Sequence, residues 1–159
     1  MLTDSHTGRS LWDELRSSEG PVDTELLDEL WASLETVDAG EILGSWKGFA
    51  FPTDHPLQIT LTKSRWHGKR FHSLQWAQPL ICADDDGELV SDLKSGRGEA
   101  SLWNVEFRGE VTATMVYDGM PIFDHFKRVD DTTLMGIMNG KPELVLADAK
   151  HFYFGLERE

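Results

Sequence analysis

The chain is expected to be mainly β, a single antiparallel barrel with one helix on its N-terminal side. Three observations lead there. Beyond Gly98 apolar residues alternate with a period of two. Acid-glycine and other turn signals separate these stretches at short intervals, with no helical pattern between them. A tryptophan bracketed by glycines, Gly44-Ser45-Trp46-Lys47-Gly48, stands where the strand-like texture begins. A meander of this length escapes the hazard of exposed strand edges by closing on itself.

Taken in order, residues 1–22 scatter serine, glycine and charges and end in Gly20-Pro21. A flexible arm is expected there, with Leu11, Trp12 and Leu15 spaced for one amphipathic turn. From Thr24, Leu27, Leu30, Trp31 and Leu34 recur at three- and four-residue spacing among Glu25, Asp28, Glu29 and Glu35. This predicts a surface helix with one apolar stripe, started by Asp23 or Thr24 as N-cap. A turn through Ala39–Leu43 then leads to Trp46, whose flanking glycines let the ring turn inward. The ring is expected to plug the closed end of the barrel.

Pro52, Asp54 and Pro56 interrupt the next extended piece, and Trp66, Gly68 and Phe71 mark another. Pro79–Cys82 is a short apolar run, and Asp84-Asp85-Asp86-Gly87 predicts a hairpin turn before Leu89-Val90. Trp103, Val105 and Phe107 share one strand face, and Val111, Ala113, Met115 and Tyr117 share one face of the next. Asp118-Gly119 is a hairpin dipeptide. Phe123–Val129 and Thr132–Met138 follow through Asp130-Asp131, and the last strand, His151–Arg158, puts Phe152, Phe154, Leu156 and Arg158 on one face.

Composition narrows the partners. The 159 residues suit one domain, spanning 23–159 beyond the arm. Twenty-eight acidic against 15 basic residues give a formal charge of −13, a field that repels phosphate backbones and anionic membranes. The only cysteine, Cys82, excludes an internal disulfide and an all-cysteine metal site. No signal-peptide core stands in Met1–Gly20, and no run approaches the ~20 apolar residues of a membrane span. A cytoplasmic monomer or homodimer is expected.

Eight-stranded barrels are the size at which the interior either fills with its own side chains or holds one small ligand. Trp103, Phe107, Met115, Tyr117, Phe123, Met138, Phe152 and Phe154 are the candidate lining residues, with Tyr117 and His125 as the polar groups sharing the inward parity of Met115 and Phe123. On that parity Asp124 points outward. The expected function is binding of a small hydrophobic or amphipathic molecule, lipid, terpenoid or polyketide in type, without nucleotide, metal or covalent cofactor. The alternative is a cofactor-free isomerase or cyclase in the same cavity, with His125 as acid or base and Tyr117 or Lys69 holding the developing anion. Lys69 is expected in a loop after Gly68, at the barrel mouth. A solid interior would instead suit a scaffold whose apolar helix face serves a protein partner.

An ordered set of motifs resembles the GXWXG domain family followed by its accompanying domain of unknown function. The first half, about 24–82, carries Gly44-Ser45-Trp46-Lys47-Gly48, Pro52-Thr53-Asp54-His55-Pro56-Leu57 and Trp66-His67-Gly68-Lys69-Arg70-Phe71. The second, about 99–159, carries Tyr117-Asp118-Gly119-Met120-Pro121-Ile122-Phe123-Asp124-His125-Phe126, Leu134-Met135-Gly136-Ile137-Met138 and Phe152-Tyr153-Phe154-Gly155-Leu156-Glu157-Arg158. The resemblance implies a lipocalin-like, calycin-type barrel and assigns no reaction. It also implies a structural closure by Gly44, Trp46, Gly48 and Arg158, in which the last strand's Arg158 covers Trp46. Nitrobindin-type haem barrels share a Gly-x-Trp-x-Gly motif, and by that likeness His151 would be the proximal ligand, although the surrounding residues do not match.

Overall fold

In the computed structural model, which describes residues 5–159, ten strands form one antiparallel sheet. They are β1 (Glu35–Thr36), β2 (Gly44–Ala50), β3 (Trp66–Ser73), β4 (Trp76–Ala83), β5 (Leu89–Ser91), β6 (Ala100–Phe107), β7 (Glu110–Tyr117), β8 (Ile122–Asp130), β9 (Thr133–Gly140) and β10 (Phe152–Arg158). From β8 the pairing runs through β7, β6, β4, β3, β2, β10 and β9, and β9 pairs with β8 again. The path of eight strands therefore returns to its start. The joint between β4 and β6 is narrow, with Ala77 opposite Ala100 and the Leu102 N–H donated to the Leu74 carbonyl. β1 extends the edge of β8 and β5 that of β4.

A returning sheet has two faces, and this one buries both. Inside lie Trp46, Phe71, Leu102, Ala113, Met115, Phe126, Leu134, Phe152, Phe154 and Leu156. Outside, Phe51, Phe107, Val129, Met135, Ile137 and Tyr153 form a second core under two helices, α1 (Ser5–Arg16) and α2 (Thr24–Ser33). The Asp23 carboxylate caps α2 by accepting from the Glu25 N–H at 2.9 Å. The apolar stripe Leu27, Leu30 and Trp31 is buried against the sheet. The fully buried Lys127 of β8 reaches the other end of the helix, donating to the Trp31 carbonyl at 2.9 Å and pairing with Glu110.

The flexible arm expected over 1–22 is replaced, within the described residues, by α1. Phe49 and Phe51 need covering on the outer face, and Trp12 meets both edge-on, at 5.7 and 5.3 Å between ring centroids. Arg16 lies 3.6 Å over Phe49, and the Val22 N–H is donated to the Pro52 carbonyl. Whether Met1–Asp4 reach the cavity mouth lies outside the described residues. A 3-10 turn (Ala39–Ile42) and two further α-helices complete the described chain: α3 (Pro56–Lys63), with His55 as N-cap, and the single turn α4 (Pro142–Val145). No described helix is long and apolar enough to cross a membrane.

Candidate functional site

The site is built outward from the glycine-flanked tryptophan. Trp46 is buried in β2, and its indole N–H is donated to the Ile42 carbonyl at 2.9 Å. Register places Arg158 of β10 directly opposite, with its guanidinium 4.2 Å from the ring centroid and its N–H groups donated to the carbonyls of Leu43 and Glu41. The two glycines serve different neighbours. Gly44 has φ +129°, and a Cβ there would stand 2.7 Å from the Arg158 guanidinium. A Cβ on Gly48 would stand 2.2 Å from the indole of Trp66. One glycine admits the closing arginine, and the other admits the ring that walls the chamber behind it.

That chamber is a cavity of about 230 Å³. Trp66, Leu80, Ile122, Met138, Phe152 and Phe154 form its apolar wall, and Leu57 and Leu61 of α3 cover it together with Leu144 and Met120. His55 fixes this cover. Its Nδ1 accepts the Leu57 N–H at 3.2 Å, while its Nε2–H is donated to the Val145 carbonyl of α4 at 3.0 Å.

Inside the apolar wall sits an ion pair. Lys69 Nζ is 3.0 Å from Asp124 Oδ2, and both side chains are almost wholly buried. The ammonium also donates to the Pro79 carbonyl at 3.3 Å and lies 5.3–6.0 Å from the rings of Phe154, Trp66 and Tyr117. The Pro79 carbonyl is available because Gly68 pairs with Ile81 and Arg70 with Gln78, leaving Pro79 and Leu80 together opposite Lys69 as a bulge. Burial raises the Asp124 pKa above the usual carboxylate range, with Lys69 opposing the shift. Tyr117 faces the same cavity, and burial, followed by the nearby Asp124 charge, holds its hydroxyl in the protonated form.

The expected site residues divide between the two faces. Tyr117, Met138, Phe152, Phe154 and Lys69 line the chamber, with Lys69 projecting from β3 rather than from a loop. Met115 is fully buried in the inner core away from the lining. Trp103, Phe107, Phe123 and His125 are corrected: they stand on the outer face. In β6 the inward residues are Ala100 and Leu102, so Trp103 is 55% exposed and Phe107 packs under Trp31 at 5.8 Å.

In β8 the pairing of Met115 with Asp124 turns Asp124 inward, and its neighbours Phe123 and His125 outward. His125 stacks on Phe107 at 4.1 Å, accepts from Asn139 through Nε2 at 3.0 Å, and donates from Nδ1 to Thr114 at 2.8 Å. Burial, with His151 and Arg108 nearby, depresses its pKa to about 4. His151 is also outside, its Nδ1–H donated to the Met138 carbonyl, so it is not placed to hold a haem in the chamber. Among the described residues no three His, Cys, Asp or Glu side chains gather where they could hold a metal ion.

A mainly antiparallel sheet that returns on itself around an apolar chamber, with one ion pair inside, defines the class: a small β protein with an internal cavity. Family comparison then places it. The GXWXG protein model matches residues 29–87 and that of a domain of unknown function, DUF4334, matches 98–158, and the chain belongs to the family that joins the two. A crystal structure of a protein from Thermomonospora curvata is similar throughout, at 34% identity and a TM-score of 0.86, covering 96% of this chain and 99% of that one. No curated protein matches the chain.

Proposed function

We propose that the returning sheet acts as a lipocalin-like barrel that binds one small amphipathic molecule in its chamber. The observation that carries this reading is the buried Lys69–Asp124 pair set in a mostly apolar wall. An ion pair removed from water is costly, and an apolar pair of similar volume would serve packing as well, so its retention beside a cavity suits a polar end of a ligand. The size is modest. A dry cavity of about 150 Å³ takes the six non-hydrogen atoms of benzene, so one of 230 Å³ suits about nine by proportion, with room for a few more where the chamber opens, terpenoid in scale rather than a long-chain lipid. The −13 charge argues against nucleic acid or an anionic membrane as partner, and a cytoplasmic monomer or homodimer fits the same reading.

Native mass spectrometry of protein purified from its own host, with an absorbance scan of the same sample, tests it. A bound small molecule without a Soret band is expected. A Soret band, or no added mass even after incubation with apolar probes, would overturn the reading.

A second reading is favoured by two residues facing one cavity. Asp124 and Tyr117 could together move a proton on a bound carbonyl compound, the carboxylate as base and the phenol stabilising the oxyanion. The acid–base role considered for His125 passes to Asp124. A ligand recovered from the wild type in converted form, but unconverted from Asp124→Asn, would favour turnover. Identical recovery from both proteins would leave binding alone.

A further inference from the structure

We infer that the chamber selects an uncharged alcohol over a carboxylate or an amine of the same shape, and that Asp124 sets this preference. The inference rests on the cavity-binding reading above and adds the chemical class of the ligand.

Charge is the first ground. A barrel that binds a carboxylate needs a cation left over for it, but the Lys69 ammonium is already paired with Asp124 at 3.0 Å. The other charged lining group is Asp92, near the mouth, whose carboxylate accepts the Ser95 N–H at 3.0 Å. The lining therefore carries one cation and two anions. An entering carboxylate would meet Asp124, and an entering ammonium would meet Lys69, in a medium where like charges are poorly screened.

Hydrogen-bonding capacity is the second. Of the three ammonium donors of Lys69, one serves Asp124 and one the Pro79 carbonyl, leaving one. The Asp124 carboxylate spends Oδ2 on Lys69, and its other oxygen makes no hydrogen bond to a described residue; nor does the Tyr117 hydroxyl, which faces the cavity. At the ion pair the unused groups are one Lys69 proton, one Asp124 oxygen and the Tyr117 hydroxyl, which can donate or accept. A hydroxyl both accepts and donates, so it can satisfy Lys69 or Tyr117 and Asp124 together. A carboxylate offers Asp124 no proton, and an ammonium offers the spare Lys69 proton no lone pair. Leaving buried polar groups unmatched is what makes such sites discriminate strongly.

Three probes of one shape test this by calorimetric titration near neutral pH: p-isopropylbenzyl alcohol, p-isopropylbenzoate and p-isopropylbenzylamine. The alcohol is expected to bind at least ~10-fold more tightly than either ion. In Asp124→Asn, which frees the Lys69 charge, the carboxylate should gain at least ~10-fold and overtake the alcohol. Tyr117→Phe alters no charge and guards against an Asp124 variant that fails to fold: it should weaken the alcohol while preserving the ranking. Equal or tighter binding of an ion by the wild type would overturn the selectivity and leave cavity binding standing. A wild type that binds none of the three would overturn cavity binding, and this inference with it.

Discussion

Single residues carry separable duties. Trp46 is 1% exposed and held by both Ile42 and Arg158, so Trp46→Ala should cost about 3–5 kcal/mol in urea unfolding. Gly48→Ala acts elsewhere, by pushing the Trp66 ring into the chamber; ligand uptake should fall more than ~10-fold while much of the stability is retained. His125 governs acid sensitivity. Its folded pKa, about 4, lies below the unfolded value of ~6.5, so the unfolded chain takes up a proton first as pH falls. That stability is fully present above pH ~6.5 and is lost as pH falls toward 4. The loss should be about 2 kcal/mol between pH 7.5 and 5. His151, also depressed by burial, adds in the same direction. His125→Phe should flatten the profile measured by urea unfolding at the two pH values, and an unchanged slope would refute the assignment.

At the level of elements, α1 seals the outer core through one ring between Phe49 and Phe51. Trp12→Ala should lower stability by about 3 kcal/mol, read from the urea midpoint, whereas a loosely held arm would tolerate it. How these elements showed in the sequence depended on how many of their faces are buried. α2 was legible because solvent covers one side of it and its acids mark that side. β7 was legible because Ala113, Met115 and Tyr117 alternate with hydroxyl-bearing Thr112 and Thr114. β8 was legible as a strand but not in its facing: its outer face is packed as well, so Phe123, His125 and Val129 look as interior as Phe126.

Alternation loses its meaning on a strand buried on both sides. The polar centre suffered the same way, since Asp124 looks outward until Lys69, brought from β3, supplies its partner. α3 did leave a signal that went unread, an N-cap His55 before Pro56 with Leu57 and Leu61 four apart. In the closing pair, the resemblance supplied what local pattern could not, the partner for Trp46 at the far end of the chain.

For the whole molecule, 28 acids against 15 bases leave a self-repelling surface. Raising salt from ~10 to ~200 mM should screen that repulsion and raise the melting temperature, by about 2–4 °C for each kcal/mol recovered in a chain of this size. A thermal scan at the two salt levels checks the sign. The closed order of strands also has a consequence in time. β2 lies between β3 and β10, and β10 is made after the other nine described strands. The backbone oxygen of Leu43 waits for an arginine 115 positions further on. At ~5–20 residues per second a nascent chain holds one edge of β2 unpaired for roughly 6–23 s. Throughout that interval the ribosome-bound chain displays an open strand edge, a ready footing for a chaperone and for a neighbouring nascent chain alike.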